Sequence, residues 1–171
     1  VSNDGGIAMD AVGSILGSAR TLRIVRTTLT LAVLGTTASV LLGIPGAYVL
    51  YVCRFPGRAL ARALVTVPFV LPTVVVGVAF LAVLGPHGPL GFLGLSQSLT
   101  AIVLALVFFN YAIVVRTVGG LWSRLDPRAT QAARALGASP RRAFLTVTLP
   151  ALAPAIASAA ILVFLFCASA F

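Results

Sequence analysis

From Ala63 to Val115 the chain carries no Asp, Glu, Lys or Arg. Water-soluble domains draw about a quarter of their residues from the charged set, whereas this chain draws 9%. A spanning helix needs about 20 mainly apolar residues in succession. The run therefore belongs in a bilayer. Strands of a membrane barrel would alternate apolar and polar residues in segments of about ten. Here the apolar runs are continuous and rich in Ala, Leu and Val. A helix satisfies its own backbone in lipid, so the sequence predicts an all-α, polytopic transmembrane helical bundle.

Four spans are expected, near residues 22–52, 63–84, 99–118 and 149–171. The first contains Gly43, Pro45 and Gly46 near its end, which predicts a bend. The second contains "VPFVLP", with Pro68 and Pro72. Proline removes a backbone donor and clashes one turn back, so this span should be kinked or partly broken. The break reads either as a bend forced by packing or as irregular backbone beside a cavity. Pro68, Phe69 and Pro72 are accordingly candidate pathway residues, together with Asn110 and Tyr111 in the middle of the third span. A buried amide in a span is either interhelical glue or a substrate contact. Residues 1–20 are mixed in character and are expected to form an extracytoplasmic or interfacial segment. Within it, Ile7 to Leu16 could form a short interfacial helix. The chain stops at Phe171 inside an apolar run and is read as truncated at its C-terminus.

The formal charge of +9 comes from twelve Arg and no Lys. A nucleic-acid binder would collect its charge as a stripe on a soluble module, but these arginines sit in the gaps between apolar runs. Nucleic acid is therefore excluded as a partner. Arg54, Arg58 and Arg62 follow the first span, and six more lie between Arg116 and Arg142, against one acid, Asp126. The loop from Gly85 to Ser98 has no formal charge. The positive-inside rule puts the first two gaps in the cytoplasm and the Gly/Pro loop outside. Arg20, Arg23 and Arg26 argue the other way, nine against three. Cys53 and Cys167 lack CxxC spacing and read as small hydrophobes. His87, alone in a Gly/Pro loop, has no clustered partners for a metal site.

The segment over residues 124–148 breaks the apolar pattern. Asp126-Pro127 fits an N-cap followed by the first helical position. A helix should run through "RATQAARAL" and stop at Gly137, placed for a left-handed turn. Ser139-Pro140 repeats the start, and "RRAFLTVTL" should form a second helix closed by Pro150 where the last span begins. A bulky residue at Gly137 is expected to push the two helices apart. The segment reads either as a partner-docking element on the cytoplasmic surface or as a solvated loop.

"QAARALGASPRRAFLTVTLP" resembles the signature of membrane subunits of ATP-binding-cassette importers, written EAA, three residues, G, nine residues, I-x-L-P. Gln131, Ala132, Ala133, Gly137, Val147, Leu149 and Pro150 stand at the matching positions. Gln131 replaces the glutamate and removes one ion pair to a partner. The resemblance covers residues 21–171, about four of the five core helices of the type I importer permease. It implies a coupling helix docking on cytoplasmic ATPase subunits, a second permease core, fused or separate, and an extracytoplasmic substrate-binding protein. It implies no catalytic residues and no cofactor bound by this chain, since ATP belongs to the partner. With no lysine there is no P-loop. "PFVLPTVVVGVAFLAVLG", "ALVFFNY" and "FLFCASAF" look most like thiamine-importer permeases, with ferric-iron permeases as near relatives and sulfate, molybdate and polyamine permeases more distant. The spans hold no acid for a cationic substrate, which leaves aromatic faces, carbonyls and Asn110. A secondary transporter, the competing reading, would need an intramembrane ionisable group.

Overall fold

The computed structural model describes residues 18–95 and 98–170, with backbone alone at residues 69, 70 and 73. The expected interfacial helix over residues 7–16 lies outside the described residues. Ser18 opens the first helix, α1 (Ala19–Ala47), by accepting from the Thr21 amide at 3.2 Å. Pro45 lies inside α1, and the chain continues through a π-helical turn, Tyr48–Val52. Together they form a rod of 34 residues, about 50 Å at 1.5 Å per residue. That exceeds the hydrocarbon core of about 30 Å, so the rod can carry Arg20, Arg23 and Arg26 on its first turns, clear of the lipid tails.

The carbonyls at the far end of this rod have no helical partner, and two arginines satisfy them. Arg62 Nε donates to the Leu50 carbonyl at 2.7 Å, and Arg58 Nη1 to that of Cys53 at 3.2 Å. Cationic side chains at a helix C-terminus also complement its dipole. The loop arginines that argue topology thus also cap α1.

The second expected span is two helices, α2 (Arg58–Val70) and α3 (Thr73–Leu84). Pro68 is tolerated inside α2. Pro72 forces the residue before it out of the helical region, and Leu71 adopts φ −72°, ψ 140°. Pro72 then starts α3, its carbonyl accepting from Val75 and Val76 at 2.9 and 3.2 Å. At 13 and 12 residues, each piece is about 20 Å long, too short to cross alone. The expected partial break is complete.

A short 3₁₀ turn, Gly91–Leu93, lies in the Gly/Pro loop. Ser98 then caps α4 (Leu99–Trp122), which runs beyond the expected end at residue 118. Helices α5 (Pro127–Ala135) and α6 (Pro140–Ala143) follow. The second short helix was expected to close at Pro150, and it does not. A π-helical turn, Phe144–Thr148, carries the chain from α6 straight into α7 (Leu149–Ser169). The Leu149 amide bonds back to the Phe144 carbonyl, one residue further than in an α-helix. That register shift sits just before Pro150, whose missing donor falls at the first positions of α7, where it costs little.

Three rods, Ala19–Val52, Leu99–Trp122 and Pro140–Ser169, are long and apolar enough to cross a membrane. They pack as a triangle with α4 against both others, around Ala32, Ala47, Val114, Val118, Leu152, Ala159, Val163 and Cys167. Lipid tails are as apolar as leucine, so close packing rather than water exclusion must hold spans together. Gly43 provides it: a Cβ there would stand 2.5 Å from Val114 Cγ1. Leu22, Leu41, Val74, Leu81, Ile161 and Leu165 are exposed around the outside, as lipid-facing side chains would be. No strand occurs among the described residues.

Candidate functional site

The segment between α4 and α7 is built by local chemistry. Asp126 caps α5, its carboxylate accepting from the Arg128 amide at 2.9 Å, with Pro127 at the first position. At the other end Gly137 adopts φ +89°. Its amide donates to the Arg134 carbonyl at 3.0 Å, and the Ala138 amide to that of Ala133 at 3.1 Å. These two bonds make a Schellman turn, which glycine enters without a Cβ penalty. Ser139 starts α6, accepting from the Arg142 amide at 3.3 Å. Both caps and the stop fall at the residues expected from sequence.

One expectation about Gly137 does not hold. A Cβ at this position would meet nothing within 4 Å. Any penalty for a side chain there comes from its left-handed backbone and not from collision between helices.

Helix α5 has no buried residue. Thr130 and Ala133 are half-buried, while Arg128, Ala129, Gln131, Ala132, Arg134 and Ala135 are exposed. Its tip is Leu136, 89% exposed. Among the described residues no other large hydrophobic side chain is more exposed. Sequence reasoning passed over it because it lies between the matched positions Ala133 and Gly137. Val147 and Leu149 are half-buried and Pro150 exposed, at the start of the last rod. The signature thus divides into an open half, Gln131 to Gly137, and a half that joins the span.

Two contacts fasten this segment to the bundle. The hydroxyls of Thr130 on α5 and Thr148 in the π turn lie 3.3 Å apart. The Trp122 ring, at the end of α4, stacks on Phe144 with centroids 5.8 Å apart and meets Tyr48 at 5.4 Å. Tyr48, Trp122 and Phe144 thus join the same ends of all three rods. Trp122 closes one apolar run, Phe144 opens another and Tyr48 lies near the end of the first, and that placement is their one trace in the sequence.

The candidate pathway residues lie on α2, at the break after it, and on α4. Asn110 is 1% exposed; its Nδ2 donates to the Leu106 carbonyl at 2.9 Å and to Cys167 Sγ at 3.5 Å. That ties α4 to α7. Its Oδ1 and the Ser39 hydroxyl are buried without a hydrogen-bond partner among the described residues. Tyr111 turns instead toward Gly46 on α1. Pro68 is half-buried within α2 and Pro72 is exposed at the break. The Phe69 side chain lies outside the described residues. Among the described residues no group of three or more His, Cys, Asp or Glu gathers.

Comparison with known proteins adds the following. Residues 35–171 match the family described as "Binding-protein-dependent transport system inner membrane component". The chain is 35% identical over 150 residues to the molybdenum transport system permease protein ModB of Azotobacter vinelandii, covering 84% of this chain and 66% of that protein. It is 37% identical over 128 residues to the sulfate transport system permease protein CysT of Salmonella typhimurium, covering 70% and 46% respectively. The chain thus spans about half to two thirds of the length of these relatives. A crystal structure of a bacterial ABC transporter involved in the import of the acidic polysaccharide alginate superposes with a TM-score of 0.73. It covers 90% of this chain and 59% of that one at 18% identity, which speaks for the fold. Neither thiamine nor ferric iron is named among these relatives.

Proposed function

Because the chain belongs to the binding-protein-dependent transport system inner membrane components, we propose that it is a permease subunit of an ABC importer for a tetrahedral oxyanion, coupled through α5 to a cytoplasmic ATPase. It works without catalytic residues of its own, beside a second permease core and an extracytoplasmic binding protein. The observation that carries the coupling is the open α5, capped by Asp126, stopped at Gly137 and tipped by an exposed Leu136. Among the described residues this helix is held at Thr130 and by the aromatic contacts behind it, which leaves most of its surface to a partner. ATP-driven closure of an ATPase pair would move α5. The Trp122–Phe144 stack and the Tyr48 contact would pass that movement to three rods at once.

The substrate class rests on the relatives and on charge. Molybdenum, in its oxidised aqueous form, and sulfate share the geometry of a tetrahedral dianion. Thiamine and ferric iron, the first expectations from sequence, are cations. The spans contain no carboxylate that would attract a cation or repel an anion. The missing acid, awkward for a cationic cargo, is what an anion path requires.

Uptake by cells lacking the parent transporter tests the substrate. Labelled molybdate or sulfate uptake should fall while thiamine and ferric-iron uptake stay normal; the reverse pattern overturns the oxyanion assignment. The docking role is tested separately in the full-length transporter. Leu136→Glu should strip the ATPase subunit during co-purification while the permease stays inserted. Full retention of the ATPase would mean that α5 is not the seat.

A further inference from the structure

Arg62, Ala63, Thr66, Val67 and Leu71, along α2 and its end, together with Arg116 of α4, line an open-sided groove of about 600 Å³. Its two charged members are both guanidinium groups. Arg62 is held: its Nε donates to the Leu50 carbonyl at 2.7 Å, and its guanidinium carbon lies 4.2 Å from the centre of the Tyr51 ring. That orients the group and leaves its terminal nitrogens without a hydrogen-bond partner among the described residues. Arg116 is exposed and has neither a hydrogen bond nor an ion pair among the described residues. Asp126 is the one acid in the described chain, and it caps α5. Two like charges therefore share one groove with no counter-ion among the described residues.

The wall beside them has a different chemistry. Ala63, Val67 and Leu71 recur every four residues, so they form one stripe along α2. The stripe runs about 13 Å away from Arg62 toward the proline break. A pair of guanidiniums at the head of an apolar track fits a ligand with an anionic head and a hydrocarbon tail. Both arginines lie at the end of the bundle that carries α5. Arginines there face a leaflet whose anionic lipids attract basic groups, and basic pockets between spans bind phosphate head groups. We propose that this groove is a binding site for an anionic phospholipid, its phosphodiester held between Arg62 and Arg116 and one acyl chain lying on Ala63, Val67 and Leu71. A bidentate guanidinium contact suits a phosphate better than a point charge would. The proposal rests on the membrane location of the chain and the orientation read from its arginines, and is independent of the transported substrate.

Arg116→Gln is the informative variant, because Arg116 holds nothing else together, whereas Arg62 also caps α1. The full-length transporter would be reconstituted in nanodiscs of mixed phosphatidylglycerol and phosphatidylcholine, and retained lipid read by native mass spectrometry. The parent should carry phosphatidylglycerol through detergent release, and Arg116→Gln should carry severalfold less at an unchanged unfolding temperature. Arg116→Lys should recover part of the loss. A photo-crosslinking residue at Val67 should give lipid adducts. Equal lipid retention in parent and Arg116→Gln overturns the site. A polypeptide adduct at position 67 overturns the occupant, because a protein segment would then cover the groove. Displacement of the lipid by millimolar phosphate or sulfate would also overturn it, in favour of a free oxyanion.

Discussion

Gly43 shows how much one missing methyl group decides in this bundle. Its α-carbon faces Val114, and a Cβ there would lie 2.5 Å from Cγ1 and 2.6 Å from Cβ of that valine. Val114 is itself fully buried, so neither side can yield by turning outward. Overfilling a packed interior of this kind costs about 1–3 kcal/mol. Gly43→Ala should therefore lower the thermal unfolding midpoint of the full-length transporter in detergent, and adding Val114→Ala should return most of the loss. A single variant that unfolds with the parent would mean that the two helices stand further apart than described. From sequence, Gly43 was legible only as one of three residues hinting at a bend. Its partner lies 71 positions away on another rod, and no local rule reaches that far. Asn110 illustrates the same limit. Its burial in a span was expected, but its contact with Cys167, 57 positions away on another rod, was not legible locally.

Helix α5 is the element most fully written in local chemistry. Asp-Pro, a short alanine- and arginine-rich run, glycine and Ser-Pro specify a cap, a helix, a left-handed stop and a second start. Each of these rests on groups within a few residues. Gly137→Val should raise backbone strain by on the order of 1 kcal/mol and re-aim Leu136 and the start of α6. The spans should remain inserted, but less ATPase should co-purify and transport should fall with it. Asn tolerates the left-handed region better than other residues with a side chain, so Gly137→Asn should keep most of the attachment. If valine and asparagine both behave like glycine, the turn is not what positions the docking surface. The other end of the segment could not be read so locally. Pro150 looks like a terminator, yet the chain passes it as one continuous rod. The π turn over Phe144–Thr148 shifts the hydrogen-bond register ahead of it, and Phe144 is drawn inward by stacking on Trp122.

At the scale of the whole molecule the arginines, nine against three, favour one orientation. The ends of the rods that carry Arg54, Arg58, Arg62 and α5 lie together, opposite the Gly/Pro loop. Single cysteines can test this in a background with Cys53→Ser and Cys167→Ala. A membrane-impermeant reagent added outside intact cells should label His87→Cys and leave Arg128→Cys and Arg141→Cys untouched. All three positions are exposed, so access decides the result. Outside labelling at position 128 would invert the molecule and remove α5 from the side where an ATPase could meet it.

Composition alone determined that this chain lives in lipid and crosses it as helices, because a bilayer offers the backbone no other partner. Sequence also determined the helix–turn–helix segment over residues 124–148, whose caps and turn are short-range hydrogen bonds that leave a readable order of residues. The tertiary structure decided three other things. It resolved one expected span into two half-helices, with Leu71 extended ahead of Pro72 where the sequence left open a bend or a break. It gathered Tyr48, Trp122 and Phe144 at one end of the bundle, although they are scattered through the sequence. It also turned Arg62 and Arg116 onto one groove. Contacts between distant residues follow from how helices rotate against each other, and that rotation is set by the fit of small residues such as Gly43 against their neighbours.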